Sequence, residues 1–119
     1  KDRPFQTGNQ SSSGRHNMIH VIATINLAEG TRDLFLEEFH KLVPDVHAED
    51  GCIEYGPTVD VDSGSDAQIP VRSNTVTVVE KWESLDHLAA HSVAPHMESY
   101  RERVADYVQS VSLQILSPA

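Results

Sequence analysis

Cysteine is nearly absent from this chain: Cys52 is the only one among 119 residues. No internal disulfide is therefore available, which fits a reducing, cytoplasmic compartment. Cys52 follows a glycine in "EDGCIEYG" and reads as a small buried hydrophobe rather than a nucleophile. Positive charge is scarce as well. Nine Lys and Arg stand against eighteen Asp and Glu, a formal charge of −9. Such a chain repels phosphate backbones, and no basic cluster with interleaved aromatics offsets the repulsion, which argues against a nucleic-acid partner. Apolar runs are short; none approaches the roughly 20 residues a membrane-spanning helix needs. The length suits one domain, which at this size buries roughly two-thirds of its unfolded surface.

Residues 1–17, "KDRPFQTGNQSSSGRHN", are polar, rich in Ser and Gly, and without periodicity. Hydrophobicity switches on directly after them, so Met18 reads as the native start and the preceding segment as a leader, tag or flexible arm. A mature end left by signal cleavage is the other reading. The domain is then 18–119.

"MIHVIATINL" is apolar and β-branched at odd and even positions alike, the pattern of a strand buried on both faces. "AEG" turns the chain, and Thr31 is placed to cap a helix. Phe35, Phe39, Leu42 and Val46 make a narrow apolar stripe along it. Pro44 should tighten or kink the last turn, and Asp50-Gly51 ends it. "CIEYGPTVD" (52–60) is a second strand, irregular at Gly56-Pro57. A polar stretch, 61–73, is too long for a tight hairpin. "NTVTVVEKW" is a third strand with Val76, Val78, Glu80 and Trp82 on one face. Ser84 caps a short helix, Pro95 opens another, and "VSLQIL" is a last strand. The order β-α-β-β-α-β is the split βαβ, ferredoxin-like arrangement, an antiparallel sheet with its helices on one face. Because strand 1 is apolar on both sides, the free face calls for a cover, and a second copy joined sheet to sheet supplies it.

"EKWESLDHLAAHSVAPHM", Glu80 to Met97, carries one tryptophan and three histidines. At 100° per residue, Leu85, Leu88, Ala89 and Ser92 define the inward face of the first helix there. His87 then falls in solvent and His91 on the flank. In the next helix Met97, Tyr100, Val104, Tyr107 and Val108 face inward, with His96 at the edge of that stripe. His87 and His91 have the i, i+4 spacing of metal sites but no obvious third ligand, so no metal is expected. His96 occupies a helix's first turn, where the positive end of the macrodipole works against an imidazolium; a neutral histidine can act as a general base. The plainer alternative is that His91 and His96 pack between helices. Trp82 reads either as core or as an indole N–H that orients an aromatic ligand.

The stretch "VEKWESLDHLAAHSVAPHMESY" resembles the signature of the antibiotic biosynthesis monooxygenase family: E-x-W-E-S, a helix, then H-x-x-x-P-H-M. The resemblance extends over 18–119. "KLVPDVHAEDGCIEYGPTVDVDSG" and the terminal "LQILSP" are similar to the bacterial quinol monooxygenases in particular. It implies a homodimeric α+β barrel that oxidises a small quinol with O₂ and uses no flavin, metal or haem. A deprotonated quinol is electron-rich enough to reduce O₂ itself, so the substrate does the cofactor's work. The protein must supply an apolar pocket, a base and donors for the developing anion. Carried over by position, His91 and His96 are the catalytic candidates and Trp82 part of the pocket wall. Tyr55, Asn74 and Tyr100 are added as polar-tipped groups facing the cleft, with Met97 beside them. The haem-degrading members carry Asn in strand 1 where Ala23 stands here, which disfavours that activity.

Two other readings compete. An isomerase of a small phosphorylated ketone would need a convergent basic pocket, which Arg72, Lys81, Arg101 and Arg103 do not form in sequence. A binding module for quinones or haem, without turnover, would share the same barrel, because fold alone does not select function.

Overall fold

A computed structural model describes residues 18–119 of the chain; the arm expected at 1–17 lies outside the described residues. Four strands and three helices follow one another as β1 (Ile19–Leu27), α1 (Arg32–His47), β2 (Cys52–Thr58), β3 (Thr75–Trp82), α2 (Leu85–Ser92), α3 (Pro95–Arg103) and β4 (Val108–Leu116). The strands form a single antiparallel sheet in the order β2-β3-β1-β4. This is the ferredoxin-like α+β fold the element order called for.

Strict alternation sets the inner face of the sheet. Ile19, Val21, Ala23, Ile25 and Leu27 of β1 are buried under the helices, while Ile22 and Thr24 on the outer face are only half-buried. The expected burial of both faces is thus complete on the helix side alone. On α1 the stripe Phe35, Phe39, Leu42 and Val46 is buried, as its helical spacing requires. With Tyr55 and Tyr100 the two phenylalanines form an aromatic cluster: Phe39 stacks on Tyr55 (centroids 5.5 Å, 13°) and meets Tyr100 edge-on at 5.7 Å.

Several local expectations change. Thr31 holds the N-cap position, but its hydroxyl donates to the Ala28 carbonyl at 2.7 Å instead of accepting from the helix. Its φ of −101° and ψ of 1° do not give the extended geometry a side-chain cap needs. Pro44 lies inside the last turn, and α1 continues to His47; a proline so near the end withholds one N–H and leaves little helix to disrupt. The irregularity in β2 falls between Cys52 and Glu54, whereas Gly56 and Pro57 pair in register with Val79 and Val78. Pro57 is accommodated because β2 is an edge strand. β4 starts at Val108, earlier than "VSLQIL" implied.

The 61–73 segment is closed at its base by one ion pair. Asp60 accepts from Arg72 Nε at 2.8 Å, from its Nη2 at 3.0 Å and from its backbone N–H at 2.9 Å. Hydrogen bonds from Arg72 hold the Asp60 carboxyl down at about 2, against an ordinary 3.8. A carboxyl whose folded value is depressed contributes fully above the ordinary value and loses that contribution as the pH falls through the folded one. Protection of the Arg72 amide against hydrogen exchange is therefore expected to persist through pH 4 and to fall only as pH nears about 2. In Asp60→Asn the loss of protection should already be present at neutral pH. Equal protection in the variant would show that the clamp does not hold the loop.

Candidate active site

The helices cover the sheet unevenly. α1 packs over β2 and against α3, and α2 packs on β3. The helix side of β1 and β4 is left partly uncovered, with Val111, Leu113 and Ile115 of β4 each about half exposed. A cavity of about 480 Å³ opens there, lined mainly by apolar side chains such as Val21, Ala23, Val78, Leu88, Met97 and Val104. That volume falls within the range of small-molecule sites, about 300–1,000 Å³.

A few polar groups interrupt the apolar wall: Tyr55, Glu80, His91 and Tyr100, with Ser92 and Arg101 at the solvent side. Their placement follows from register. Glu80 sits opposite Val21 on β1 and Tyr55 on β2, so all three point to the helices. Burial pushes the Tyr55 phenol up, and burial does the same for Tyr100 against the pull of Arg101. Both remain protonated donors. Among the described residues neither hydroxyl has a hydrogen-bond partner in the protein.

His91 is the buried member of α2, at 5% exposure, with its ring 4.7 Å from Trp82 and 5.3 Å from Tyr55 between centroids. Its Nδ1 lies 2.9 Å from Glu49 Oε2 and 3.2 Å from Oε1. His96 Nε2 meets the same Oε2 at 2.6 Å. An ionised carboxylate can only accept, so Nδ1 of His91 carries a proton, and in the neutral ring the lone pair then stands on Nε2. His96 is more exposed than His91 and does not line the cavity.

The helical wheel placed α2 wrongly. Leu85 is 59% exposed and Ala89 and Ser92 face solvent, while His91 is buried and His87 and Leu88 half-buried. With apolar residues on all sides of about two turns, the pattern could not choose a face; two tertiary contacts did. His87 bonds Ser84 Oγ through Nδ1 at 2.7 Å and lies over Gly51, while His91 finds an acceptor in Glu49. His87 is accordingly packed rather than solvated. Gly51 has φ +81°, and a Cβ there would run into the His87 ring. Gly51→Ala is expected to cost about 1–3 kcal/mol through strain and displacement of α2, read as a lower urea midpoint. An unchanged midpoint would mean that α2 moves freely.

Of the other site candidates, Tyr55, Tyr100 and Met97 line the cavity. Trp82 is fully buried behind it, with its indole N–H donated to Glu80 Oε1 at 2.9 Å. Asn74 stands at the far end of β3, where its side chain accepts from the Gly30 N–H at 3.2 Å and its carbonyl from Leu27. It is not among the cavity's residues. The structure adds two carboxylates that sequence reasoning passed over, Glu49 and Glu80. Glu49 is 42 and 47 residues from its histidines, a separation no periodicity links. Glu80 was visible in E-x-W-E-S only as part of a motif. Glu49 shares one oxygen between the two rings at hydrogen-bond distance, and among the described residues no group of three or more His, Cys, Asp and Glu is arranged to hold a metal.

Residues 18–103 match the antibiotic biosynthesis monooxygenase family. The chain is 39% identical over 103 residues to YgiN of Escherichia coli K12, named a probable quinol monooxygenase, covering 85% of this chain and 98% of that protein. Among solved structures it resembles a conserved protein from Methanosarcina mazei (TM-score 0.76, 16% identity, 92% of this chain and 100% of that one). It also resembles a putative antibiotic biosynthesis monooxygenase from Caulobacter crescentus (TM-score 0.73, 20% identity, 88% and 92%). The chain belongs to the antibiotic biosynthesis monooxygenase family, which supports monooxygenase chemistry as its class of reaction.

Proposed function

We propose that the protein oxidises a small aromatic quinol with O₂, and that His91 is the base that takes the quinol proton. The observation that carries this reading is His91 at the cavity wall with Glu49 behind it: Nδ1 is held by the carboxylate at 2.9 Å, and Nε2 of the neutral ring is the atom left to accept. In such a pair the carboxylate orients the ring and stabilises the imidazolium that forms. The quinol O–H bond breaks, the N–H bond at Nε2 forms, and the resulting anion is the species that gives an electron to O₂. Tyr55 and Tyr100, both protonated, are donors for the anionic oxygen. His96 touches Glu49 from outside the cavity and is assigned to holding that carboxylate, not to the proton. No flavin, metal or haem is needed in this scheme.

A homodimer is part of the proposal. The half-buried positions Ile22 and Val79 on the outer face of the sheet leave apolar surface that a second copy would cover. A cytoplasmic setting rests on the lone Cys52. The test is oxygen consumption by chelator-treated protein given a chemically reduced naphthoquinol, above the uncatalysed rate. Saturable uptake supports the assignment; tight quinone binding without uptake would move a non-catalytic binding module to first place.

A further inference from the structure

Glu80 is a carboxylate in an unusual place. It is 6% exposed, in the middle of the apolar inner face of the sheet, and it lines the cavity. Oε1 accepts the Trp82 indole N–H at 2.9 Å. Oε2 has no partner among the described residues, and it is not among the sealed polar atoms that lack one. The nearest lysine in sequence, Lys81, points to the opposite face of the sheet and pairs with Glu54 at 3.6 Å. A buried carboxylate without a cation is costly, and the inexpensive form is the neutral acid.

We propose that Glu80 presents Oε2–H to the cavity as a neutral hydrogen-bond donor, so that the site selects aromatic ligands bearing a carbonyl or other acceptor oxygen. The assignment deepens the proposed function, because it rests on the cavity being the aromatic-ligand site, but it does not require turnover. The groups facing Glu80 agree with it. On β3 Trp82 donates to it; on β2 Tyr55 stands opposite; on β1 Val21 carries no charge. Glu49, Cys52 of β2, His91 of α2 and Tyr100 of α3 complete its electrostatic surroundings. Burial pushes the Glu80 carboxyl up from its ordinary value; the Trp82 N–H and His91 oppose this, and the Glu49 charge adds to it. With Oε1 occupied as an acceptor, the proton belongs on the oxygen that faces the ligand. The polar apparatus is then divided. The lone pair of His91 receives a proton from a ligand hydroxyl, and Glu80 donates to an oxygen that gains charge or has none to give.

A matched pair of redox-inert probes isolates the donor. α-Tetralone has one carbonyl, a pure acceptor, and tetralin is the same skeleton without it. Binding of each would be measured by isothermal titration calorimetry from pH 4 to 9 on the full chain, Glu80→Gln and Glu80→Leu. Glutamine keeps both an acceptor for Trp82 and a donor for the ligand, whatever the pH. The expected result is tetralone affinity within about threefold of wild type in Glu80→Gln and about tenfold weaker in Glu80→Leu, one lost hydrogen bond. Tetralin affinity should be unchanged in both. In wild type the tetralone affinity should decline as rising pH ionises Glu80, while in Glu80→Gln it stays flat.

Equal pH dependence in wild type and Glu80→Gln overturns the proposal. So does a Glu80→Leu variant that loses tetralin as severely as tetralone, since that marks a structural role. If Glu80→Leu does not fold, the Gln pH profile decides alone. Failure of the parent reading looks different: neither probe binds wild type, which removes the site and the role of Glu80 with it. Intact probe binding without quinol oxidation overturns only the catalytic reading.

Discussion

His91→Ala is expected to lower the rate of quinol-dependent oxygen uptake by about 10²–10⁴-fold, the usual contribution of a general base. His96→Ala should stay within about tenfold of wild type, because His96 does not border the cavity and acts only through Glu49. Glu49→Gln separates orientation from contact. It keeps the size of the side chain but can no longer stabilise an imidazolium, and it does not line the cavity. Its kcat should fall at least about tenfold while KM for the quinol stays within about twofold. The three variants are compared by single-turnover oxygen uptake at saturating quinol. If His96→Ala alone abolished uptake and His91→Ala did not, the base would be His96, and the geometry at Nε2 of His91 would have another purpose.

The largest effect on stability is expected at Phe39. Its ring is 1% exposed and touches three others: Tyr55 at 5.5 Å, Tyr100 at 5.7 Å and Phe35 at 5.8 Å. Phe39→Ala should cost about 3–5 kcal/mol, the range for removing a buried aromatic ring. That is a large part of the roughly 5–15 kcal/mol available to a domain, so the Tm should fall by more than about 10 °C. The cost should lie toward the lower end, because one side of the ring already faces the cavity and fewer contacts are lost there. Leu34→Ala, on the same helix but 48% exposed, is the control, expected to cost less than about 1 kcal/mol. A Phe39 effect no larger than the Leu34 effect would mean that the aromatic cluster does not hold α1 to the sheet.

The sequence by itself determined the order of elements, the ferredoxin-like topology, the residues that share one face of β3, and the buried stripe of α1; which face of β1 is buried it left open. These depend on local periodicity: alternation in strands and 3.6-residue spacing in a helix long enough to average out exceptions. The E-x-W-E-S and P-H-M segments were also readable as the marks of a family. Where the pattern was short or mixed, local information ran out. α2 is about two turns with apolar residues all round, and only its contacts with Gly51, Trp82 and Glu49 turned His91 inward and His87 onto the glycine. The same holds for the carboxylates. Nothing within a few residues of Glu49 foretells that the α1–β2 turn delivers it to two histidines more than 40 positions away. Tertiary structure likewise decided that Trp82 spends its N–H on Glu80, and that Asn74 belongs to the opposite end of the sheet. Periodicity reports which side of an element is apolar. Which polar groups converge across elements depends on register and on the fit of side chains brought together by folding.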